Sequence, residues 1–496
     1  MTELADLSIS ELLDEFRAHR ASPSEAVESC LGRIERLDGR VNAVLTWLVE
    51  RATTQARRST QRWMTGQAGP LEGIPYGLKD IIATAGIRST GGSALYKDNV
   101  PLESATLAQR LAAAGGVLIA KLYTFEFAAG SNATTSNPWD LDRWACGSSS
   151  GSGAAVAARE MPLSVGTDTG GSIIGPAAYC GIVGVKATFG RVPRTGIMPL
   201  CWTLDHAGPM TRSALDAALA LSVMAGYDPK DPSSGQRPVD DYVGGIDRTV
   251  QGVRIGLPTD WFYDICDPEV EAACRRAAGV LQDLGATVVE VPLPSTKIVH
   301  PHAIELTIIY AELASNHDVN LERLDEYGPE FQKLFIRSQF TSADDYLKAL
   351  RARHLLQLDF QDAFERVDAL IVPGMLSTAP RHDHLVAKIG DTEYPLLDIA
   401  SRPTAIMDIV GVPTLCFPVG FDSLGLPIGA QVAARPYDES LCFRLAHAYQ
   451  KVTDFHKAVP PLVQDDASVV MAGHRSTTRP AILEKPIVTA TKDSVW

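Results

Sequence analysis

Two segments rich in serine and glycine set the chemical question: CGSSSGSGAAVAA, residues 146–158, and VGTDTGGSIIGP, residues 165–176. Residues of these types can form a flexible linker, a loop that cradles phosphate, or a nucleophile beside a hole for an oxyanion. A linker lacks helix formers, yet Ala154, Ala155, Val156, Ala157 and Ala158 follow at once, so the first segment reads as a loop entering an alanine-rich helix. A phosphate loop needs a lysine after its last glycine, and none follows Gly151 or Gly153; a dinucleotide fingerprint needs a third glycine that is absent. Gly147, Ser149 and Gly151 do satisfy the GxSxG nucleophile elbow. That motif sits on a turn after a buried strand, whereas the preceding NPWDLDRWAC carries Pro138, Asp140, Asp142 and Arg143.

The second segment offers the better nucleophile. Ser172 stands directly behind Gly170 and Gly171, and the backbone N–H groups of Thr169, Gly170, Gly171 and Ser172 can converge on one developing oxyanion with few side chains in the way. A serine needs a base, most often histidine. None of the eleven histidines lies in a comparable segment, His206 being the nearest in sequence. The other option is a lysine made neutral by burial. Lys79 lies between Leu78 and the pair Ile81-Ile82, in a stretch that reads as a buried strand. A lysine in such a place can also snorkel to the surface, so local pattern leaves the base open.

The elements that must position these residues alternate along the chain. Ser22 reads as an N-cap, with Pro23 at the first helical position and Glu25 reaching back, and Val27, Cys30, Leu31, Ile34 and Leu37 follow at helical spacing. Residues 116–122, 286–293, 368–375 and 414–421 are short apolar runs ended by Gly or Pro, as strands buried on both faces would be. Helical pattern at 270–285 lies between two of them. This predicts an α/β class around a large, mostly parallel or mixed sheet. With no repeat and no convincing linker, residues 1–465 are expected to form one domain, its amino-terminal helices spanning about 1–60. Residues 466–496 have lost periodicity and read as an irregular carboxy-terminal extension.

Composition sets the outer limits. The formal net charge of −14 is spread without a block of like charge, which disfavours a basic surface for nucleic acid. Eight cysteines with no CxxC pair disfavour a zinc site or a disulfide framework and suit a reducing compartment. The first residues, MTELADLSISELLDEF, have acids where a signal peptide has bases, and no apolar run reaches the roughly 20 residues a membrane span needs. The expectation is a soluble cytoplasmic chain, a monomer or homodimer, with no membrane and no nucleic-acid partner.

Four segments in order, GIPYGLKD, GSSSGSGAAVAA, GTDTGGSIIGPAAYCGIVGVKATFGRV and GLPIGAQV, resemble the amidase signature family of serine hydrolases. The resemblance spans most of the chain, with the signature core at about 70–215. It implies a large mixed, mostly parallel twisted sheet covered by helices on both faces, and a Ser-cisSer-Lys triad. Position by position the base is Lys79, the bridging serine after a cis peptide is Ser148, and the nucleophile is Ser172, the two serines standing 24 residues apart as in the family. Ser149 becomes a neighbour in the hydrogen-bond network. No metal and no cofactor is implied. Two departures concern the pocket. The family commonly has Arg where Ile174 stands, so Asp168 is expected to be satisfied by hydroxyls such as Ser149 and by backbone N–H groups. Ala128 stands near a position where the family often has Met, so Ala128, Ala129, Gly130 and Ile174 are expected to line a roomier, more apolar pocket. The implied activity is hydrolysis of a small or medium, largely uncharged amide, aryl amide or carbamate (urethane). The alternative is the glutaminase (A) subunit of a tRNA-dependent amidotransferase, for which no fixture for a glutamine head group is evident.

Overall fold

The computed structural model describes residues 3–130 and 134–471. Its first long helix, Pro23–Val41, begins as its sequence dictates. The Ser22 hydroxyl accepts from the Glu25 amide, the Glu25 carboxylate accepts from the Ser22 amide, and Pro23 fills the first position. Val27, Cys30, Leu31, Ile34 and Leu37 all face the core. The helix stops at Asn42, whose φ of 57° places it in the left-handed region, and the buried Asp38 carboxylate accepts from the amides of Ala43 and Val44 as the chain turns into a strand.

Eleven strands form one sheet. From one edge to the other they are Val44–Trp47, Val117–Leu122, Pro75–Lys79, Leu163–Asp168, His206–Thr211, Val183–Lys186, Thr414–Phe421, Pro427–Ala434, Ala369–Pro373, Arg254–Pro258 and Thr287–Val291. The expected large mixed sheet is present. Parallel pairing joins Pro75–Lys79 to both of its neighbours and Arg254–Pro258 to both of its own, while the other six of the ten pairings are antiparallel. The parallel character is therefore confined to the two flanks, where helices supply the crossovers. The centre is built by hairpins such as Thr414–Phe421 with Pro427–Ala434.

Successive strand residues point to opposite faces, so a strand buried at every position is covered on both. Pro75–Lys79, Leu163–Asp168, His206–Thr211, Ala369–Pro373 and Pro427–Ala434 are buried throughout, which puts packed layers above and below the sheet. The run at 286–293, expected to be equally buried, instead forms an edge strand, Thr287–Val291, in which only Val291 is fully buried. The apolar run that suggested a core strand is rich in β-branched valine and threonine, which suit a half-covered edge as well. A helix, Pro461–Met471, runs through the start of the segment expected to be irregular; residues 472–496 lie outside those described. Among the described residues no helix is long and apolar enough to cross a membrane.

The strand that ends in Lys79 is anchored from beneath by a buried ion pair. Lys121 Nζ lies 3.2 Å from Asp80 Oδ1 and donates to Ile82 O and Ser89 Oγ, while Asp80 Oδ2 accepts from the Thr90 amide and hydroxyl. Both charged groups are fully buried. Removing one partner leaves the other charged and uncompensated in the core. Lys121→Met should lower unfolding free energy by about 3–5 kcal/mol, read as a lower denaturation midpoint in urea with an unchanged slope.

Candidate active site

Lys79 is the last residue of an interior strand, third from one edge of the sheet, and its side chain is 0% exposed, so it does not snorkel. Its Nζ lies 2.7 Å from Ser148 Oγ and 2.8 Å from Thr167 Oγ1. Loss of solvent pulls its pKa down to about 7, against an opposing pull from Asp168 and Asp205. Two hydroxyls around a neutral amine can each give or take a proton. Ser148 follows a cis Gly147–Ser148 peptide, and its carbonyl accepts from the Phe125 amide. The chain then enters the helix Ser150–Ala157 as its alanine run dictates. The residues before it, Asp140–Trp144, belong to a separate two-stranded ribbon and not to a buried strand, so the elbow geometry is absent. Ser149 Oγ is committed to the Thr167 carbonyl and amide, at 3.1 and 3.2 Å, deep in the core.

The loop from Thr169 to Ile173 is shaped by Asp168 at the end of its strand. One carboxylate oxygen accepts from the Gly171 amide at 2.5 Å, and the other accepts from the amides of Ile173 and Ile174 at 2.6 and 3.1 Å. Burial and the nearby Asp408 push the Asp168 pKa up to about 7, while these amides and Lys186 oppose the shift. Asp168 is thus satisfied by backbone groups, as expected. Ser149 does not join it, because that hydroxyl is bonded across to Thr167. The Gly171 amide is engaged by Asp168, which leaves those of Thr169, Gly170 and Ser172 as the donors of the proposed oxyanion hole with no such partner. Gly171 has a second role. Its φ is 117°, and a Cβ there would sit 2.3 Å from Thr404 Oγ1, which donates to the Gly170 carbonyl at 2.6 Å. The Thr169 hydroxyl is held by Asp205 at 2.7 Å.

Ser148, Ser172, Thr169, Gly170 and Gly171 open onto one cavity of about 550 Å³, together with Ala128, Ala129 and Gly130. Its walls include Phe125, Trp144, Leu200, Leu306, Ile309 and Met375, and its polar side chains include His302, Glu305, Glu330, Lys333 and Arg337. Among the hydrogen bonds of the described residues none joins Ser148 Oγ to Ser172 Oγ; in unliganded sites such contacts are commonly long and tighten around substrate. Ile174, expected to line the pocket, does not. It is 1% exposed, and as the first residue of the helix Ile174–Cys180 its side chain enters the core. The competing base, His206, is buried with Nδ1 3.1 Å from Asp408 Oδ1 and is not part of the cavity wall. Burial holds its pKa well below the usual imidazole range.

Sequence reasoning missed several residues at this site. Thr167, the second hydroxyl on Lys79, sits one position before Asp168 in GTDTGGS and was open to inspection. Glu305, His302, Ser401 and Thr404 come from more than a hundred residues downstream, and no local motif marks them. Glu330, Lys333 and Arg337, on the helix Pro329–Ser338, bring charge to the cavity that was not evident in the sequence.

Comparisons with known proteins agree with this architecture. The family model described as Amidase matches residues 25–443. The A subunit of glutamyl-tRNA(Gln) amidotransferase from Geobacter sp. (strain M21) is 37% identical over 93% of this chain and 100% of its own length. Its namesake from Myxococcus xanthus (strain DK1622) is 39% identical over 93% of this chain and 100% of its own. A solved structure, described as a vestigial protein complex that reveals the evolutionary origins of an s-triazine catabolic enzyme, superposes with a TM-score of 0.85 at 33% identity, covering 90% of this chain and 98% of that one. The expectation of a monomer or homodimer with no nucleic-acid partner is overturned by these full-length relatives, which bear the name of one component of a tRNA-dependent enzyme. The acidic balance behind that expectation describes this chain's own surface and says nothing of what a partner protein contacts. With a model match over most of its length and full-length relatives well above 30% identity, the chain belongs to the amidase family, the amidase signature hydrolases.

Proposed function

We propose that the chain cleaves the C–N bond of a largely uncharged amide, aryl amide or carbamate through an acyl-enzyme on Ser172. The observation that carries this reading is the cavity in front of Ser172, whose inner walls of Phe125, Trp144, Leu200, Leu306, Ile309 and Met375 suit an apolar group. Neutral Lys79 takes a proton from Ser148 as Ser148 takes one from Ser172, and the Ser172 oxygen attacks the carbonyl carbon. The Thr169, Gly170 and Ser172 amides hold the oxyanion. The relay then returns the proton to the leaving nitrogen, and water cleaves the acyl-enzyme.

A second reading is favoured by the full-length relatives: the glutaminase component of an amidotransferase, which releases ammonia from glutamine for a partner. Glu330, Lys333 and Arg337 at the cavity offer opposite charges for an amino-acid head group, and Lys333 is paired to Glu330 at 2.6 Å. The relatives' names weigh toward this reading and the apolar walls toward the first. Initial rates on an anilide, an aryl carbamate and free glutamine separate them. The first reading expects kcat/KM on the anilide or carbamate at least tenfold above that on glutamine; the reverse order, with ammonia passed to an added partner, establishes the second.

Ser172→Ala should abolish turnover, by about 10⁴-fold or more, and a fluorophosphonate should label Ser172. An adduct on Ser149 with an active Ser172→Ala enzyme would overturn the assignment. Lys79 acts as a base only when neutral, so kcat/KM should rise with pH through about 7 and level above it. Lys79→Arg should not rescue Lys79→Ala, because guanidinium stays protonated.

The same shift fixes a stability effect. A lysine whose pKa falls on folding, from 10.5 to about 7, costs stability in full below pH 7, and that cost is relieved as pH rises to 10.5. Lys79→Met should therefore fold more stably than the parent at pH 6, with the difference shrinking toward pH 10 in denaturant titrations.

A further inference from the structure

The cavity holds one buried acid that the relay does not use. Glu305 lies on the helix Pro301–His317 and is 2% exposed. Its Oε2 is held by His302 Nδ1 at 2.9 Å and by the Ser401 hydroxyl at 3.1 Å, and Ser401 Oγ is itself 2.8 Å from His302 Nδ1. Its other oxygen faces Gly170. A Cβ on Gly170 would lie 1.7 Å from Glu305 Oε1, so only glycine lets the carboxyl group rest on this loop. The group therefore stands beside the Cα of Gly170, in the loop read as holding the scissile carbonyl oxygen.

We propose that Glu305 is a specificity-determining residue whose Oε1 accepts the N–H bonded to the scissile carbonyl, so that the site selects N–H amides and carbamates over esters and N-alkylated amides. The inference rests on the reading of Ser172 as nucleophile with the 169–172 loop around the carbonyl oxygen; it applies to an anilide, a carbamate or a primary carboxamide alike. A carboxylate beside an oxyanion hole opposes the charge that develops there unless a donor faces it. An N–H of the substrate is such a donor, and an ester has none. His302 and Ser401 fix the other oxygen, so the acceptor is oriented before substrate arrives. Burial also raises the Glu305 pKa, an effect that His302 and Ser401 oppose. A buried acceptor left unpaired by the wrong substrate is the strongest kind of discrimination a pocket can make.

The test uses three substrates of one acid, its anilide, N-methylanilide and phenyl ester, with the parent protein, Glu305→Gln and Glu305→Leu. Fluorophosphonate labelling of Ser172 serves as the reference, since that probe carries no N–H. Glu305→Leu should lower the ratio of anilide to ester kcat/KM by about 10- to 100-fold, the anilide slowing as it loses its acceptor while the ester, freed of an unpaired carboxylate, does not slow. Glu305→Gln keeps a carbonyl acceptor and should recover most of the ratio, and it serves if the leucine variant does not fold. An equal loss on anilide and ester, or an unchanged ratio in both variants, overturns the proposal. Absence of labelling in the parent would instead strike the nucleophile assignment.

Discussion

Everything at this site depends on keeping one lysine without solvent. A primary amine becomes a base near neutral pH only if its charged form is denied water, and Lys79 is denied it by ending a strand that is covered on both faces. That requirement is met on an interior strand of one flank, where parallel neighbours on each side leave no edge for water. It also explains the hydroxyls. Ser148 and Thr167 satisfy the buried nitrogen without offering it an opposite charge at hydrogen-bonding distance, which would restore the protonated form. The acids nearby are kept one step away. Asp168 turns to the backbone of its own loop and Asp205 to the Thr169 hydroxyl and the amides of Leu200 and Cys201.

That arrangement gives the loop around Ser172 its rigidity. Three amides converge on Asp168, and Thr404 pins the Gly170 carbonyl from the opposite side. A loop with these bonds cannot relax to point its remaining amides elsewhere. Preorganised donors cost no reorganisation when charge appears, which is where such sites derive most of their effect.

Local chemistry was readable wherever a short segment contains its own reason. The capping residues around Pro23, the alanine helix after the serine loop, and the buried strand before Lys79 are examples. The resemblance then supplied the pairing of Lys79 with Ser148 across 69 residues, which no periodicity reveals. What local pattern could not give was direction. Ile174 looks like a pocket residue by position, but the helix it starts turns it into the core. The run at 287–291 has the composition of a buried strand, but its place at the sheet edge is decided by the order of strands. The far wall was invisible for a related reason: Glu305 and Thr404 meet the nucleophile loop only through tertiary packing.

That far wall divides the labour of the chain. Residues of the relay lie between positions 79 and 172, whereas Glu305, Ser401 and Thr404, the charged residues of Pro329–Ser338, and Met375 lie beyond position 300. On the proposed reading, bond-breaking is encoded in the first half of the gene, while the cavity wall is shared between that half, through Phe125, Trp144 and Leu200, and the other. The two halves touch at Gly170 and Gly171, where a missing side chain lets the second come within bonding distance of the first. Variation in the later half can change what is admitted while the earlier half continues to do the same reaction, provided that those two glycines stay bare.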